Sequence, residues 1–282
     1  MKKVAKYLMI GPVTLWMYLL VAIPFLYIII ISFMNKGTYG GVEPGFTFQN
    51  YADILNPLYI ITFGKSFLIS FIVTLICLLI AYPFSYFVAR KTEIKKTIFM
   101  ALVMVPFCVS MIIRLFSWIN ILRGEGVVNR FLMSIGLISE PLKLVYSQTG
   151  AMIGLVYMLL PFMILPLYSS IEKLDKSLLE AANDLGAKPV ISFLKVTLPL
   201  TKPGIFAGCV MVFIPSMGLY FVTDLMGGSK TLVVGNLIKN QFITARNWPL
   251  GAAMSVILMI ITVLMLKGYQ KAGGSMDDLS GI

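Results

Sequence analysis

The sequence predicts an all-α membrane protein with six transmembrane helices, and three observations carry that prediction. Of its 282 residues, 59% are hydrophobic and the mean hydropathy is +0.91, whereas a soluble domain holds about 45–50% apolar residues. Six apolar runs each approach or exceed the roughly 20 residues a helix needs to cross a bilayer. Lys and Arg crowd into alternate connecting segments. Hydrocarbon offers no water to backbone N–H and C=O groups, so a spanning segment is a helix or part of a closed barrel, and these runs are too long for strands.

The first run, Leu8 to Phe33, follows Lys2, Lys3 and Lys6. It is longer than the apolar region of a signal peptide and lacks an A-x-A site, so it reads as a retained span. The outer loop Met34 to Ser66 comes next. Its Phe46, Phe48 and Tyr51 fit either contact with a docked partner or packing onto the membrane domain. The second run is Phe67 to Ala89 and the third is Thr97 to Ile119, with Arg90, Lys91, Lys95 and Lys96 between them. Arg114 is the one charge inside a span; counted straight along from Thr97 at about 1.5 Å per residue, it falls some 26 Å into a core about 30 Å thick. Near that outer edge it can snorkel, which favours a structural or gate-supporting role. The fourth run is Gly150 to Ser170. The fifth, Gly204 to Thr223, opens on Gly204-x-x-x-Gly208, a spacing that permits close helix approach. The sixth, Trp248 to Lys267, is followed by a tail, residues 268–282, expected to be flexible. The whole of 1–282 reads as one transmembrane domain.

Fourteen of the 23 Lys and Arg fall in the first set of segments, which includes both ends of the chain, and eight in the opposite, longer loops. That bias puts both termini in the cytoplasm. It also explains the net charge of +11 through the positive-inside rule and contact with anionic lipid, without nucleic acid. Cys77, Cys108 and Cys209 lie in apolar runs without metal-ligand spacing and are expected to be small core residues.

Several chemistries are excluded by composition. There is no histidine, hence no Ser-His-Asp triad and no zinc site built on His. All twelve Asp and Glu lie outside the six runs, which speaks against a proton relay at membrane depth; sodium held by backbone carbonyls stays open. Gly227 to Thr231, GGSKT, fails the phosphate-loop pattern and reads as a turn. Intramembrane hydrolysis of the triad and zinc types is therefore excluded; the expectation is a chain that is no enzyme and binds no cofactor of its own, and any nucleotide chemistry would have to be supplied by another chain.

The longest inner segment, residues 171–203, is not loop-like. In LDKSLLEAANDLGA, Asp175 suits an N-cap, Leu178, Leu179, Ala182 and Leu185 recur at helical spacing, and Gly186 suits a left-handed C-terminal cap. Pro189 suits the start of a second helix running to about Pro199. An interfacial helix resting among lipid headgroups would carry Lys and Arg on its polar face. This one offers Glu180 and Asp184, four residues apart on one face, and small Ala181 and Ala182. A protein partner fits better than anionic lipid.

Those residues carry a family resemblance. EAA at Glu180 to Ala182, Gly186 six residues after Glu180, and Val196 to Pro199 (VTLP, with Val where Ile is usual) resemble the EAA signature of the permease subunits of bacterial ABC importers. Asn50 to Ser70, Gly154 to Ala187 and Ser216 to Phe242 resemble the spermidine/putrescine branch of that family. The resemblance implies a type I importer fold in the bacterial inner membrane, with Glu180, Ala181, Ala182, Asp184 and Gly186 forming a coupling helix seated on an ATPase. It further implies a second permease, two ABC ATPase copies that hold ATP and magnesium, and an external polyamine-binding protein. A polycation's route calls for carboxylates and aromatic faces, and Tyr220, Phe221 and Asp224 stand at the outer end of the fifth run. Tyr220 and Asp224 share a face if the helix persists; the same three residues also fit an aromatic belt and a turn cap. Two alternatives stay open: an ABC permease for another solute, and a self-sufficient channel or sodium-coupled carrier.

Overall fold

The computed structural model describes residues 2–228 and 231–271. Ser229 and Lys230 of the expected GGSKT turn, and residues 272–282, lie outside these. In chain order the elements are α1 (Ile10–Ser32), a two-residue hairpin of β1 (Asn35–Lys36) and β2 (Val42–Glu43), α2 (Gln49–Ile54) and α3 (Pro57–Ala89). There follow α4 (Glu93–Met104), α5 (Met111–Leu122), α6 (Val127–Ser134), α7 (Gln148–Glu172), α8 (Lys176–Asp184), α9 (Pro189–Leu200), α10 (Lys202–Gly218), α11 (Val234–Ile243) and α12 (Trp248–Lys271).

Among the described residues, α1, α3, α7 and α12 are each long and apolar enough to cross a membrane unaided. Two bent pairs bring the number to six if each counts as one span: Glu93–Cys108 with Met111–Ser134, at 98°, and α9 with α10, at 63°. The expected third span is thus not a straight helix; the bend between α9 and α10 falls just before the expected fifth run, which is interrupted separately near its far end. In the third, Pro106 sits in a 3₁₀ turn, Val105–Cys108, that separates α4 from α5; a residue without an N–H and with fixed φ cannot continue the α-helical ladder. In the fifth, α10 stops at Gly218, three residues past Pro215, and Leu219 adopts φ −74°, ψ 60°, the conformation of an inverse γ-turn. Cys108 stands exposed at the first of these breaks and is not a core residue, whereas Cys77 is buried. The tail expected from 268 begins no earlier than 272, because α12 continues through Lys271.

The chain divides into two compact units, residues 1–61 with 237–262, and residues 62–236 with 263–282. In the first unit, Asn50 is buried and its amide donates to the carbonyls of Ser32 and Met34, both at 2.9 Å. The rings of Phe33, Phe46, Phe48 and Tyr51 pack together with centroids 5.1–5.5 Å apart. The outer-loop aromatics therefore pack on the end of α1, although Phe46 and Phe48 each keep most of their surface exposed.

The second unit holds the main core. Val73, Cys77 and Ala81 of α3, Leu115 of α5, Leu155, Met163 and Leu167 of α7, and Val212 of α10 are all fully buried there. α7 is the most buried of the four long helices, and α10 lies directly against it. Gly204 and Gly208 face that contact: a Cβ on Gly204 would stand 2.8 Å from the Pro166 carbonyl oxygen, and one on Gly208 would press on the Met163 sulfur. The small-residue spacing read from the sequence is thus where two backbones meet.

Candidate coupling segment and transport pathway

The C-terminal end of α7 is fixed before the polar segment begins. Lys96 Nζ binds both Glu93 (2.8 Å) and Glu172 (2.9 Å), and Tyr168 donates to Glu172 at 2.7 Å. The chain then enters α8 through Asp175, whose Oδ1 accepts the Ser177 backbone N–H at 2.9 Å. That bond holds the Asp175 carboxyl below the usual aspartate range. α8 ends with a paired closure: the Gly186 N–H donates to the Asn183 carbonyl (2.8 Å) and the Ala187 N–H to the Ala182 carbonyl (3.0 Å), with Gly186 at φ +77°. This is the Schellman arrangement, and it needs the left-handed residue that glycine supplies most cheaply. Lys188 is extended, as a residue before proline prefers, and Pro189 opens α9.

α9 is tied to α3 by aromatic contacts that sequence reading did not find. Phe193 stands edge-on to both Tyr82 and Tyr86, at 5.6 Å from each, and the Arg90 guanidinium lies 3.9 Å from the centre of the Tyr86 ring. The Tyr82 hydroxyl meets the Thr201 hydroxyl at 2.9 Å, at the corner where α9 gives way to α10. The stretch Phe193–Thr197 is a π-helical turn, and the hydroxyls of Ser192 and Thr197 are buried there without a partner. Glu180, Ala181, Asp184 and Gly186 are exposed and Ala182 is half-buried. Leu178 and Leu185, spaced to share one face of α8, are exposed as well, Leu185 at 88%, and so are Val190 and Leu194. Leu179 and Ala182 are half-buried, so the chain covers the apolar side of this helix only in part.

The two broken helices meet elsewhere in the same unit. Met111 and Ile112 at the start of α5, with Pro215, Leu219, Tyr220 and Phe221 at the end of α10, line an open, largely apolar cavity of about 530 Å³. Tyr220 and Phe221 thus share a wall, but Asp224 does not line this cavity. It lies in a π-helical turn, Thr223–Gly227, rather than on the continuous α-helix the sequence reading required, and its carboxylate accepts from the Asn236 amide. Asn236 is almost fully buried and also accepts from the Thr223 hydroxyl and the Val233 N–H, each at 2.8 Å. It closes the loop that follows the break in α10. Nothing in the local pattern VVGNL announces that role.

Arg114 is held between aromatic rings of two different helical segments. Its guanidinium carbon lies 4.2 Å from the centre of the Phe107 ring and 6.0 Å from that of Tyr157. Tyr157 is the tenth residue of the 25 in α7, about 14 Å from the helix start. The 98° bend between α4 and α5 invalidates a straight count from Thr97. Arg114 Nε and Nη1 are buried without a hydrogen-bond partner.

Apolar helices long enough to cross a bilayer, close α7–α10 packing and a capped polar helix pair between those two helices define a polytopic membrane protein. Residues 81–271 match the binding-protein-dependent transport system inner membrane component family, and the chain belongs to it. It is 45% identical over 274 residues to the spermidine/putrescine transport system permease protein PotB of Salmonella typhimurium strain SL1344, covering 96% of each chain. PotB of Escherichia coli K12 is also 45% identical, over 94% of this chain and 96% of its own. A bacterial alginate ABC transporter solved with an alginate-bound periplasmic protein shares the fold, with a TM-score of 0.76 over 95% of this chain and 93% of its own at 15% identity.

Proposed function

We propose that this chain is one of two permease subunits of an ATP-driven importer for the polyamines spermidine and putrescine, with both termini in the cytoplasm. ATP and magnesium are held by two ABC ATPase copies, and an external binding protein delivers the solute. The observation that carries the coupling part of this reading is α8: rigidly capped at both ends, exposing Leu178, Ala181 and Leu185 beside Glu180 and Asp184, and fastened through Phe193 to α3. The α8–α9 pair so built transmits a push from a docked ATPase into α7 and α10, which flank the pair in the chain, and their rocking opens the pathway to one side and then the other. The polyamine part rests on 45% identity to permeases of that transport system over nearly the whole chain. The cavity wall of Tyr220 and Phe221 suits an alkyl polycation, offering apolar surface and aromatic faces together. Asp224, joined to Asn236, serves in this reading to hold the gate loop rather than to bind solute.

The test is uptake of labelled spermidine and putrescine in cells lacking this chain and redundant carriers, with the chain restored as wild type or as Glu180→Lys. Restoration by wild type but not by a normally inserted Glu180→Lys supports both parts. Uptake that stays absent with wild type, its partners being present, removes the polyamine assignment.

A further inference from the structure

The cavity proposed for the solute has two walls that are far apart in sequence: Met111 and Ile112 at the start of α5, and Pro215, Leu219, Tyr220 and Phe221 at the end of α10. The second wall is the far end of the helix that follows the coupling segment, so a push on α8 and α9 reaches it along the chain. The first wall has no such continuity, because α6 and α7 stand between α5 and α8. A push that moved one wall alone would shear the cavity rather than open it.

A polar tie between α4 and the entry to the coupling segment supplies the missing link. Lys96 Nζ reaches the Glu172 carboxylate at 2.9 Å. Glu172 is the last residue of α7, three positions before the Asp175 that caps α8. Tyr168, one turn back on α7, donates to the same carboxylate oxygen at 2.7 Å and so fixes its aim. The Lys96 side chain is only 14% exposed and that of Glu172 35%, so the lysine lies against the protein rather than in solvent. Its bond to Glu93 is of another kind: the two stand three residues apart on one helix, with Glu93 86% exposed, and the bond joins no two elements. From Lys96, α4 runs on to the 3₁₀ turn Val105–Cys108 and then into α5. That corner is braced, with the Arg114 guanidinium 4.2 Å from the centre of the Phe107 ring. Met100 and Val103 of α4 pack on the same core that buries Leu115 of α5. These elements form one bent arm, with Lys96 near one end and the cavity wall past the bend.

We infer that Lys96 is a positioning residue: through Glu172 it makes the arm of α4 and α5 travel with the coupling segment, so that one push drives both walls of the cavity. The inference rests on the coupling role proposed for α8 and not on which solute is carried. Ion pairs with this much solvent contact add little to stability, whereas a directional charge-assisted hydrogen bond fixes how two helix ends sit. The clasp therefore shows in motion rather than in melting.

The experiment uses the complete transporter, with its companion permease, ATPase and binding protein, in lipid vesicles and with Cys108→Ser as background. Ile112→Cys and Tyr220→Cys, one on each wall, are introduced separately and labelled by a water-soluble maleimide with and without ATP. With Lys96 intact, ATP is expected to change the labelling rate at both positions. Lys96→Glu replaces the bridging cation with a further carboxylate; the ATP response at Ile112→Cys should then shrink about fivefold or more while that at Tyr220→Cys persists. Spermidine uptake per ATP hydrolysed should fall with it. Adding Glu172→Lys to Lys96→Glu reverses the pair and should restore both readings, and Glu93→Gln should leave them as in wild type. Where Lys96→Glu is poorly inserted, Lys96→Gln, which adds no charge, decides in its place. A response at Ile112→Cys that survives loss of the lysine overturns the inference, as does a reversed pair that fails to restore it. Loss of the response at both walls together also overturns it, since the lysine would then support the coupling segment as a whole. A response at Tyr220→Cys alone with Lys96 intact overturns it and leaves the coupling role of α8 standing, whereas no response at either position removes both.

Discussion

The corner from α8 to α9 and the corner from α4 to α5 both join two helices through a few residues, yet they are closed by different forces. The first is written in local chemistry: Asp175 caps the start, Gly186 the end, and Pro189 opens the next helix. The second has no side-chain cap on α5. It turns by 98° around Pro106, and its downstream arm is held by burial of Leu115 and Ile119 in the core. An aqueous corner must satisfy its own backbone groups with neighbours in sequence, whereas a corner inside the membrane is set by what it packs against.

The sharpest way to break this contrast is Leu115→Ala. If packing sets the membrane corner, deletion of that fully buried side chain costs about 2–5 kcal/mol, read as a lowered melting temperature of the purified complex; an unchanged melt refutes the packing account. Next, Phe193→Ala removes the ring between Tyr82 and Tyr86. Because Phe193 is half-buried, a loss of about 2–3 kcal/mol is expected, less than the roughly 3–5 kcal/mol of a fully buried ring. Transport should fall further than membrane abundance, since the contact joins α9 to α3. Gly186→Val tests the aqueous corner directly: a β-branched residue at φ +77° costs about 1–2 kcal/mol and should slow uptake while insertion stays normal. Pro106→Ala restores one N–H within the membrane corner and, if packing dominates, changes stability by under about 1 kcal/mol. The smallest effect concerns pH. The Asp175 carboxylate, held below its usual range by the Ser177 N–H, stabilises the start of α8 above the unfolded aspartate pKa, and that contribution disappears as pH falls through the lower folded value. Between neutral pH and the ordinary aspartate range, the hydrogen-exchange protection of the Ser177 amide should therefore stay constant, with Asp175→Asn flattening its decline below that.

The same physics decides what could be read in advance. Helical class, the apolar runs, the coupling segment with both caps and the close approach at Gly204 and Gly208 follow from signals within a few residues of one another. The breaks at Pro106 and just past Pro215 were missed because proline inside an apolar run is tolerated in many membrane helices, so neither proline alone separates a break from a continuous span; the bend between α9 and α10, by contrast, falls where Pro199 led one to expect it. The straight count from Thr97 to Arg114 fails because the bend at Pro106 lies between them. Asn236 and the Phe193 clasp were invisible because their partners come from residues distant in sequence, Tyr82 and Tyr86 in the second case.

Cys108 gives the membrane corner an unplanned use. It is the exposed thiol of the three, with Cys77 buried and Cys209 partly so, and it stands at the very vertex of the turn. A water-soluble maleimide added to the native, unmutated transporter reaches that sulfur only when water does, so its rate of attachment is a clock for solvent reaching that point. Run with and without nucleotide, the same reaction would time the wetting of the vertex through one transport cycle.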